Sequence, residues 1–342
     1  MAGSRNARLR VGVVGLGRLW ETRHKPSLAR MSDRFQVTAV YDQVFRRAEL
    51  EAAHLGCAAC EGLRALVERS DVDAVYLLSR QWFGLHPAAL ACAAGKPVYC
   101  ALPLAGERVE LEPLVELVEA SGVVFMTEFP RRFYPATIRL RALLAGELGA
   151  PRLILGHTRM HGFDRYAIPG PTTQIALAPL IIDPGSFLLD WCGYVFGAAF
   201  ERLVGTSSRI LESSETSADE VDFETFAARF EGGGTASLSY GRHHRSVWGE
   251  ASRFLPPQGF QVYAERGAAW LEMPEKIVWS AGSGVNEERL PVEPSVGDVL
   301  NDQFYRLVHE GGAAAPALRE TLALARLLEI LKQSQLEAAG RA

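Results

Sequence analysis

Two glycines near the N-terminus, Gly15 and Gly17, carry the clearest chemical signal in this sequence. They follow the apolar run Leu9–Val14, which predicts a buried strand, and they precede a segment predicted to be helical. In such a strand, turn and helix, backbone N–H groups and the positive end of the helix dipole bind the phosphates of a dinucleotide. The third position of the G-x-G-x-x-G pattern holds Trp20, so the indole must point away from the strand or tilt the helix.

An acid at the end of the next predicted strand completes the expected dinucleotide site. Asp42 follows the run Phe35–Tyr41 and stands 22 residues after Trp20, close to the spacing of about 20 at which an acid binds the ribose hydroxyls. A carboxylate repels a 2′-phosphate, so Asp42 favours NAD as the cofactor over NADP. Arg46 and Arg47 weaken this preference, because either guanidinium can pair with such a phosphate.

Further residues are assigned to the cofactor side by their position. Arg18 and Leu19 directly follow the glycine turn, in the first turn of the expected helix. His86 comes after the predicted strand Ala74–Leu78, and it either contacts the cofactor or only begins a helix. The pair Trp82-Phe83 lies in the same connection, where it either covers a nicotinamide or fills the core.

The first third of the chain alternates short apolar runs with helical periodicity, which predicts βαβ units and a parallel sheet. Between Glu110 and Ser121, for example, apolar residues keep the spacing of a helix with one buried face. We therefore predict an α/β chain whose residues 8–128 form a doubly wound, NAD(P)-binding Rossmann domain.

The pattern changes in the rest of the chain. From about Leu153, β-rich runs follow one another with glycine turns such as those at 231–234 and 266–267. Such runs are typical of hairpins in a mixed or antiparallel sheet. We predict that residues 129–342 form an α+β domain for substrate binding and oligomerisation, with one open sheet face.

Composition excludes several other classes of protein. The chain has 342 residues, 48% of them hydrophobic, which is enough for two domains. Its formal charge is −4 without a basic block, so we expect no nucleic-acid partner. No apolar run is long enough to cross a membrane, and five scattered cysteines are typical of free thiols in the cytoplasm. Cys57 and Cys60 have metal-ligand spacing, but no second pair completes a zinc site, so we predict no metal.

Several segments together resemble the glucose-fructose oxidoreductase/inositol dehydrogenase/rhizopine-catabolism (Gfo/Idh/MocA) family. The glycine turn with His24 and Pro26 is similar to the family's G-x-G opening, and Gly95–Ala105 is similar to its G-K-x-V-x-x-E-K-P-L-A segment. Arg132–Pro135 resembles the R-F-x-P that opens the second domain, and Asp183–Asp190 resembles D-x-G-x-H-x-x-D. The resemblance implies a Rossmann domain joined to a domain that binds a sugar, polyol or related molecule.

The same resemblance marks where this chain departs from its family. In the family, the lysine of E-K-P lies by the nicotinamide and the substrate hydroxyl, and the histidine of D-x-G-x-H-x-x-D assists proton transfer. Here those positions hold Leu102 and Phe187, and the glutamate position is Ala101. Oxidation of an alcohol needs a group that takes the hydroxyl proton, and neither Leu nor Phe can do so. We therefore predict an atypical active site.

Other residues must take the proton if the chain is an active oxidoreductase. The candidates lie in the segments that resemble the family, or near the irregular loop 161–179 that borders the expected cleft. They are Asp183, Asp190, Tyr134, His161, His157 and Tyr166. Asp183 either points into the cleft or caps the helix after it, and Asp190, two turns later, shares its helical face.

Two charged pairs have competing interpretations. Arg131-Arg132 either neutralise an anionic substrate or pair with Glu128. His243-His244 are interpreted as a solvated polar loop, because no nearby carboxylate completes a metal site.

Three hypotheses for function follow. The chain is an NAD-dependent oxidoreductase acting on a sugar, polyol or related small molecule. Alternatively, it is a catalytically inactive nucleotide- or ligand-binding member of the family, as Leu102, Phe187 and Trp20 suggest together. A third alternative is a lyase or hydrolase that uses tightly bound NAD transiently.

The predicted open sheet face also bears on the oligomeric state. Apolar residues stand at both even and odd positions of one strand, such as Phe223 and Phe226 beside Ala227, and this pattern predicts a homodimer or homotetramer.

Overall fold

The computed structural model describes residues 8–79, 84–101, 108–161, 184–208, 223–243, 259–282, 284–311 and 318–327. Contacts divide the chain into two compact units. The first comprises Met1–Pro130 and Glu293–Ala325, and the second comprises Arg131–Val292 and Arg326–Ala342. These units are defined by contacts alone, whereas a functional domain is defined by the molecule that it binds. The assignment of nucleotide binding to residues 8–128 and of substrate binding to 129–342 therefore stays a prediction.

Six parallel strands form the sheet of the first unit, in the order β3-β2-β1-β4-β5-β6. They are β1 (Leu9–Val14), β2 (Phe35–Tyr41), β3 (Ala58–Ala59), β4 (Ala74–Leu77), β5 (Val98–Cys100) and β6 (Phe125–Thr127). Every residue of β4, β5 and β6 is buried, as expected for parallel strands that helices cover on both faces. The strand order reverses between β1 and β4, which is the switch point where doubly wound sheets bind ligands. The predicted Rossmann sheet is confirmed.

Helices connect these strands. They are α1 (Lys25–Arg30), α2 (Phe45–Leu55), α3 (Leu63–Val67), α4 (His86–Ala93) and α5 (Arg108–Ser121). A π-helical turn, Trp20–His24, leads directly into α1, and the N–H of Lys25 bonds to the carbonyl of Trp20, five residues earlier. Pro26 has no backbone N–H, and the wider turn before it accommodates that loss.

The second unit contains a mixed sheet of eight strands, in the order β14-β13-β12-β11-β7-β10-β9-β8. They are β7 (Pro151–His161), β8 (Phe200–Ser208), β9 (Phe223–Phe230), β10 (Thr235–His243), β11 (Gly259–Ala264), β12 (Gly267–Glu272), β13 (Lys276–Ala281) and β14 (Gly284–Arg289). Only β7 and β10 pair in parallel, and the other neighbours are antiparallel. The predicted open-faced mixed sheet is confirmed, and β8, β13 and β14 are additional to the predicted strands.

One face of this sheet is covered by α6 (Pro135–Ala145) and α7 (Pro184–Phe196). The ring of Trp191 on α7 lies 4.4 Å from that of Phe260 on β11. The residues of β9 alternate between buried and exposed positions. Phe226 and Phe230 are buried, whereas Ala227, between them, is exposed. The apolar residues predicted at both even and odd positions of the strand therefore lie on two different faces of the sheet.

Two C-terminal helices follow, α8 (Val296–Glu310) and α9 (residues 318–327), and α8 and residues 318–325 belong to the first unit. Ser295 and Asp298 form a capping box at the start of α8. Asp298 also accepts a 2.7 Å hydrogen bond from Ser27 and pairs with Arg30, both on α1. Across the described residues, no helix has the length and apolar character that crossing a bilayer requires.

Candidate functional site

The glycine turn has the geometry of a phosphate cradle. Gly15 adopts φ +93°, and a Cβ there would lie 2.4 Å from the Cβ of Ser79, so only glycine fits where β1 and β4 diverge. Gly17 differs, because a Cβ there would meet no atom of the described residues within 4 Å. The turn is therefore closed toward the sheet and open at Gly17, where a ligand's phosphates can approach the backbone.

Asp42 is buried at the end of β2 and is fixed by main-chain donors. Its Oδ2 accepts the N–H of Leu16 at 2.9 Å, and its Oδ1 accepts that of Val44 at 3.0 Å. Nη1 of Arg47 lies 3.4 Å from both oxygens. A carboxylate has about four lone-pair sites, so Asp42 keeps acceptor capacity for ribose hydroxyls. These contacts link the predicted ribose acid to the glycine turn, and the glycines and Asp42 fit a dinucleotide.

Trp20 occupies the third motif position, and its indole is directed toward α2. Its side chain is buried, and Nε1 donates a 3.0 Å hydrogen bond to Oε1 of Glu51 on α2. Glu51 also pairs with Lys25 at 2.9 Å. The indole therefore points toward α2, which is the first of the two predicted outcomes.

A buried polar cluster lies behind the same helical segment. Glu128, one residue after β6, accepts hydrogen bonds from Arg23 and, at 2.8 Å, from the hydroxyl of Tyr99. Nε2 of His24 lies 3.3 Å from its Oε2. Burial and the neighbouring Arg23 charge lower the pKa of His24 to about 3, so the ring is neutral near pH 7. The sequence offered no signal for this cluster, because its members are far apart in the chain.

Three other residues predicted on the cofactor side occupy the ends of helices. Arg18 and Leu19 form the first helical residues after the glycine turn, and Arg18 is exposed. His86 is an exposed residue at the start of α4. Trp82-Phe83 lies outside the described residues.

In the second unit, Asp190 on α7 is part of an ion pair. Both its oxygens accept from the guanidinium of Arg132, with Nε of Arg132 at 3.1 Å. Arg132 thus has Asp190 as a partner, and Glu128 has Arg23 as a partner. Burial lowers the pKa of Arg131, and the charge of Asp190 opposes that shift. Arg131, Arg132, Tyr134 and Asp190 thus lie close together.

His157 lies on β7. It is opposite Ser239 on β10, and the Ser239 hydroxyl is 2.8 Å from Nδ1 of His157. The neighbouring Gly156 is opposite Phe260, which packs on α7, so His157 is on the other face of the sheet from Asp190. These two candidates therefore cannot act on one substrate atom.

The remaining candidates are placed only in part. Tyr134 is half-buried at the N-cap of α6, and Phe187 is half-buried on α7. His161 and His243 end β7 and β10, and nothing is described of their side chains. The other candidates lie outside the described residues: Leu102, Tyr166, Asp183 and His244.

Neither a metal centre nor a reactive thiol pair is evident in the described part of the chain. No group of three or more metal-binding side chains was found there. Cys57 and Cys60 are free thiols, and burial raises the pKa of Cys57 to about 11. A thiol with a raised pKa is a weak nucleophile near pH 7.

Comparison with known proteins agrees with this geometry. The model of the Gfo/Idh/MocA oxidoreductases, described as an oxidoreductase family with an NAD-binding Rossmann fold, matches residues 9–129. The chain is 29% identical to a dTDP-3,4-didehydro-2,6-dideoxy-alpha-D-glucose 3-reductase from Saccharopolyspora spinosa, over 91% of each chain. The match to the Gfo/Idh/MocA oxidoreductase family thus spans the six strands of the first unit, and the relatives of the chain are oxidoreductases of that family.

Two further proteins are similar to this chain. A myo-inositol 2-dehydrogenase from Thermotoga maritima is 27% identical over 77% of this chain and 75% of its own length. A solved 3-ketoreductase from Actinomadura kijaniata, in complex with NADP and TDP-benzene, superposes with a TM-score of 0.76 at 20% identity. That superposition covers 96% of this chain and 98% of the reductase, and it supports the fold.

Proposed function

We propose that this chain is an NAD-dependent oxidoreductase that acts on a sugar, a polyol or a related small molecule. The observation that carries the proposal is the glycine turn, where Gly15 admits no side chain and the space over Gly17 is open. Open space at the start of a helix fits the pyrophosphate of a dinucleotide. When bound, the nicotinamide would supply hydride transfer to or from a substrate carbon.

The preference for NAD is supported by the surroundings of Asp42. Its carboxylate would repel a 2′-phosphate, and the two nearby arginines already face carboxylates. Arg47 faces Asp42, and Arg46 lies 3.2 Å from Glu49. NADP binding, seen in the Actinomadura kijaniata reductase, is the alternative that the experiment must exclude.

The substrate class is supported by the relatives. Their names describe a reductase of a dTDP-linked deoxysugar and a dehydrogenase of myo-inositol. Each of these molecules carries a secondary alcohol or the matching ketone on a ring. A compound of this kind is the proposed substrate.

The proton acceptor is proposed among Tyr134, His161, Asp183 and Asp190. The bidentate contact with Arg132 favours a different part for Asp190, that of holding the guanidinium in place. Tyr134, half-buried at the N-cap of α6, stays a candidate for the proton acceptor.

A second function is favoured by one specific observation. Leu102 and Phe187 replace the two groups that serve proton transfer in the family, which favours a catalytically inactive member that binds a nucleotide or another ligand. A lyase or hydrolase that retains NAD is the third alternative.

One experiment separates these functions. Calorimetric titration with NAD, NADH and NADP tests cofactor binding, and absorbance after denaturation reveals cofactor that co-purifies. The purified protein is then screened with polyols, sugars and nucleotide-linked sugars for a change in nicotinamide absorbance. We expect NAD to bind more tightly than NADP and at least one ring alcohol to be oxidised. Binding without turnover supports the inactive member, co-purified NAD that is not consumed supports the lyase or hydrolase, and no nucleotide binding rejects the cofactor proposal.

We also propose a cytoplasmic homo-oligomer. Five free cysteines support the location. The sheet face opposite α6 and α7 exposes large apolar side chains, which supports a second copy as its partner. They are Val204, Tyr263, Trp270 and Val285. Light scattering should give a dimer or tetramer mass, and Trp270→Glu should shift it toward the monomer. A wild-type monomer at micromolar concentration would reject the proposal.

A further inference from the structure

Glu128 is a buried carboxylate at the edge of the sheet where ligands bind. It follows β6 directly, and only 1% of its surface is exposed. Its N–H bonds to the carbonyl of Cys100 at 3.0 Å, which extends the pairing of β5 and β6. The carboxyl ends of parallel strands form the binding edge of a doubly wound sheet. The backbone of Glu128 is therefore held firmly beside the proposed cofactor site.

The side chain of Glu128 contacts the π-helical turn. One oxygen accepts from Arg23, and the other accepts from Tyr99 and lies 3.3 Å from His24. Arg23 and His24 are consecutive residues of that turn, whereas Tyr99 belongs to β5. A single carboxylate thus ties the turn to two strands of the sheet.

The π-helical turn connects directly to the proposed pyrophosphate cradle. The carbonyl of Gly17 accepts the N–H of Glu21 at 3.1 Å, so the helix begins within the glycine turn. A π-helical turn is rare, and it occurs mostly as an interruption at functional sites. The direction of the first helical N–H groups therefore depends on how firmly this turn is held.

We propose that Glu128 is a positioning residue for the cofactor. Through Arg23 it fixes the helix start that receives the pyrophosphate. This inference rests on the proposed nucleotide-binding function. A preorganised set of N–H groups binds an anion more tightly than a mobile set, because less ordering is required on binding.

The same helix offers a matched control at its other end. Asp298 accepts from Ser27 and Arg30 on α1, as Glu128 accepts from Arg23. Arg30 is seven residues after Arg23, or about 10 Å along a helix. Loss of either carboxylate should lower stability, but only loss of Glu128 should loosen the turn next to the cradle.

The test compares Glu128→Gln with Asp298→Asn at a temperature where both variants are folded. We expect Glu128→Gln to weaken NAD binding by about tenfold or more in calorimetry, and Asp298→Asn to stay within about twofold of the wild type. Without nucleotide, hydrogen exchange of the amides at 16–24 should be faster in Glu128→Gln alone. Arg23→Lys should retain more affinity than Arg23→Met, since it keeps the charge that faces Glu128.

The outcomes separate this inference from the proposed function. Wild-type protein that binds no nicotinamide nucleotide rejects the function, and the exchange of amides 16–24 still reports on Glu128. Unchanged or tighter NAD binding in Glu128→Gln, with slow exchange in the turn, overturns the positioning role. Equal losses of affinity in both variants would also overturn it, because a general loss of stability would then explain them.

Discussion

The indole N–H of Trp20 donates a 3.0 Å hydrogen bond to Glu51, which joins the helical segment after the glycine turn to α2. The third position of the dinucleotide motif usually holds a small residue, so that the helix packs closely on the strand. In this chain a buried, hydrogen-bonded indole fills the position instead. The departure from the motif is therefore part of the packing of the first unit.

Replacing Trp20 should destabilise the protein. Trp20→Phe removes the hydrogen bond to a charged acceptor, and we expect a loss of about 2–3 kcal/mol in the free energy of unfolding. Trp20→Gly restores the motif residue but removes a buried side chain, at a cost of about 4 kcal/mol or more. Urea denaturation measures both, with Phe45→Ala on the exposed part of α2 as the control. A Trp20→Gly variant as stable as the wild type would contradict this account.

The two glycines of the turn should respond differently to alanine. Gly15→Ala places a Cβ 2.4 Å from Ser79 at φ +93°, so both stability and nucleotide binding should fall. Gly17→Ala places its Cβ in open space, so stability should change by less than about 0.5 kcal/mol. Its methyl group would nevertheless obstruct the phosphates, and NAD affinity should fall. Thermal unfolding and calorimetry test the pair, and normal NAD affinity in Gly17→Ala would place the cofactor elsewhere.

Asp42 should determine the choice of cofactor. Asp42→Ser removes the carboxylate that would bind ribose hydroxyls, so NAD affinity should fall about tenfold and its advantage over NADP should narrow. Glu310→Gln, at the exposed end of α8, is the control and should leave both affinities unchanged. Calorimetry with both nucleotides provides the measurement. A wild-type preference for NADP would show the assignment to be wrong.

Asp190 and Arg132 should be energetically coupled. Removing one partner of a largely buried ion pair costs about 3 kcal/mol, so Asp190→Asn and Arg132→Met should each be destabilising. The double variant should lose less than the sum of the singles, with a coupling energy of about 1–3 kcal/mol in a double-mutant cycle. If the double variant is stable and still turns over substrate, Asp190 is not the proton acceptor. Additive losses would contradict the coupling.

His24 should make the protein sensitive to acid. Its pKa is lowered from 6.5 to about 3 by burial and by Arg23, so below pH 6.5 the unfolded chain binds a proton that the folded chain does not. Stability should therefore fall with decreasing pH, by about 1.4 kcal/mol per pH unit from this residue, down to the folded pKa. Free energies of unfolding between pH 7 and pH 4 should show a smaller slope in His24→Gln than in the wild type. His54→Gln, at an exposed position on α2, should keep the wild-type slope.

Local pattern was sufficient for much of the fold. The strands at Leu9–Val14, Phe35–Tyr41 and Phe223–Phe230 have the predicted bounds, because buried strands between turn residues have a distinct periodicity. The two glycines and Asp42 were also identified from spacing alone, since their chemistry depends on the order of strand, turn and helix.

Tertiary structure decided how those elements use their side chains. Glu128 meets Arg23, Asp190 meets Arg132, and Trp20 meets Glu51 across separations that no local pattern specifies. Likewise, the opposite faces occupied by His157 and Asp190 depend on the register of β7 with β11. A sequence determines which groups are available, whereas the partner of a buried charge depends on which strands and helices pack side by side.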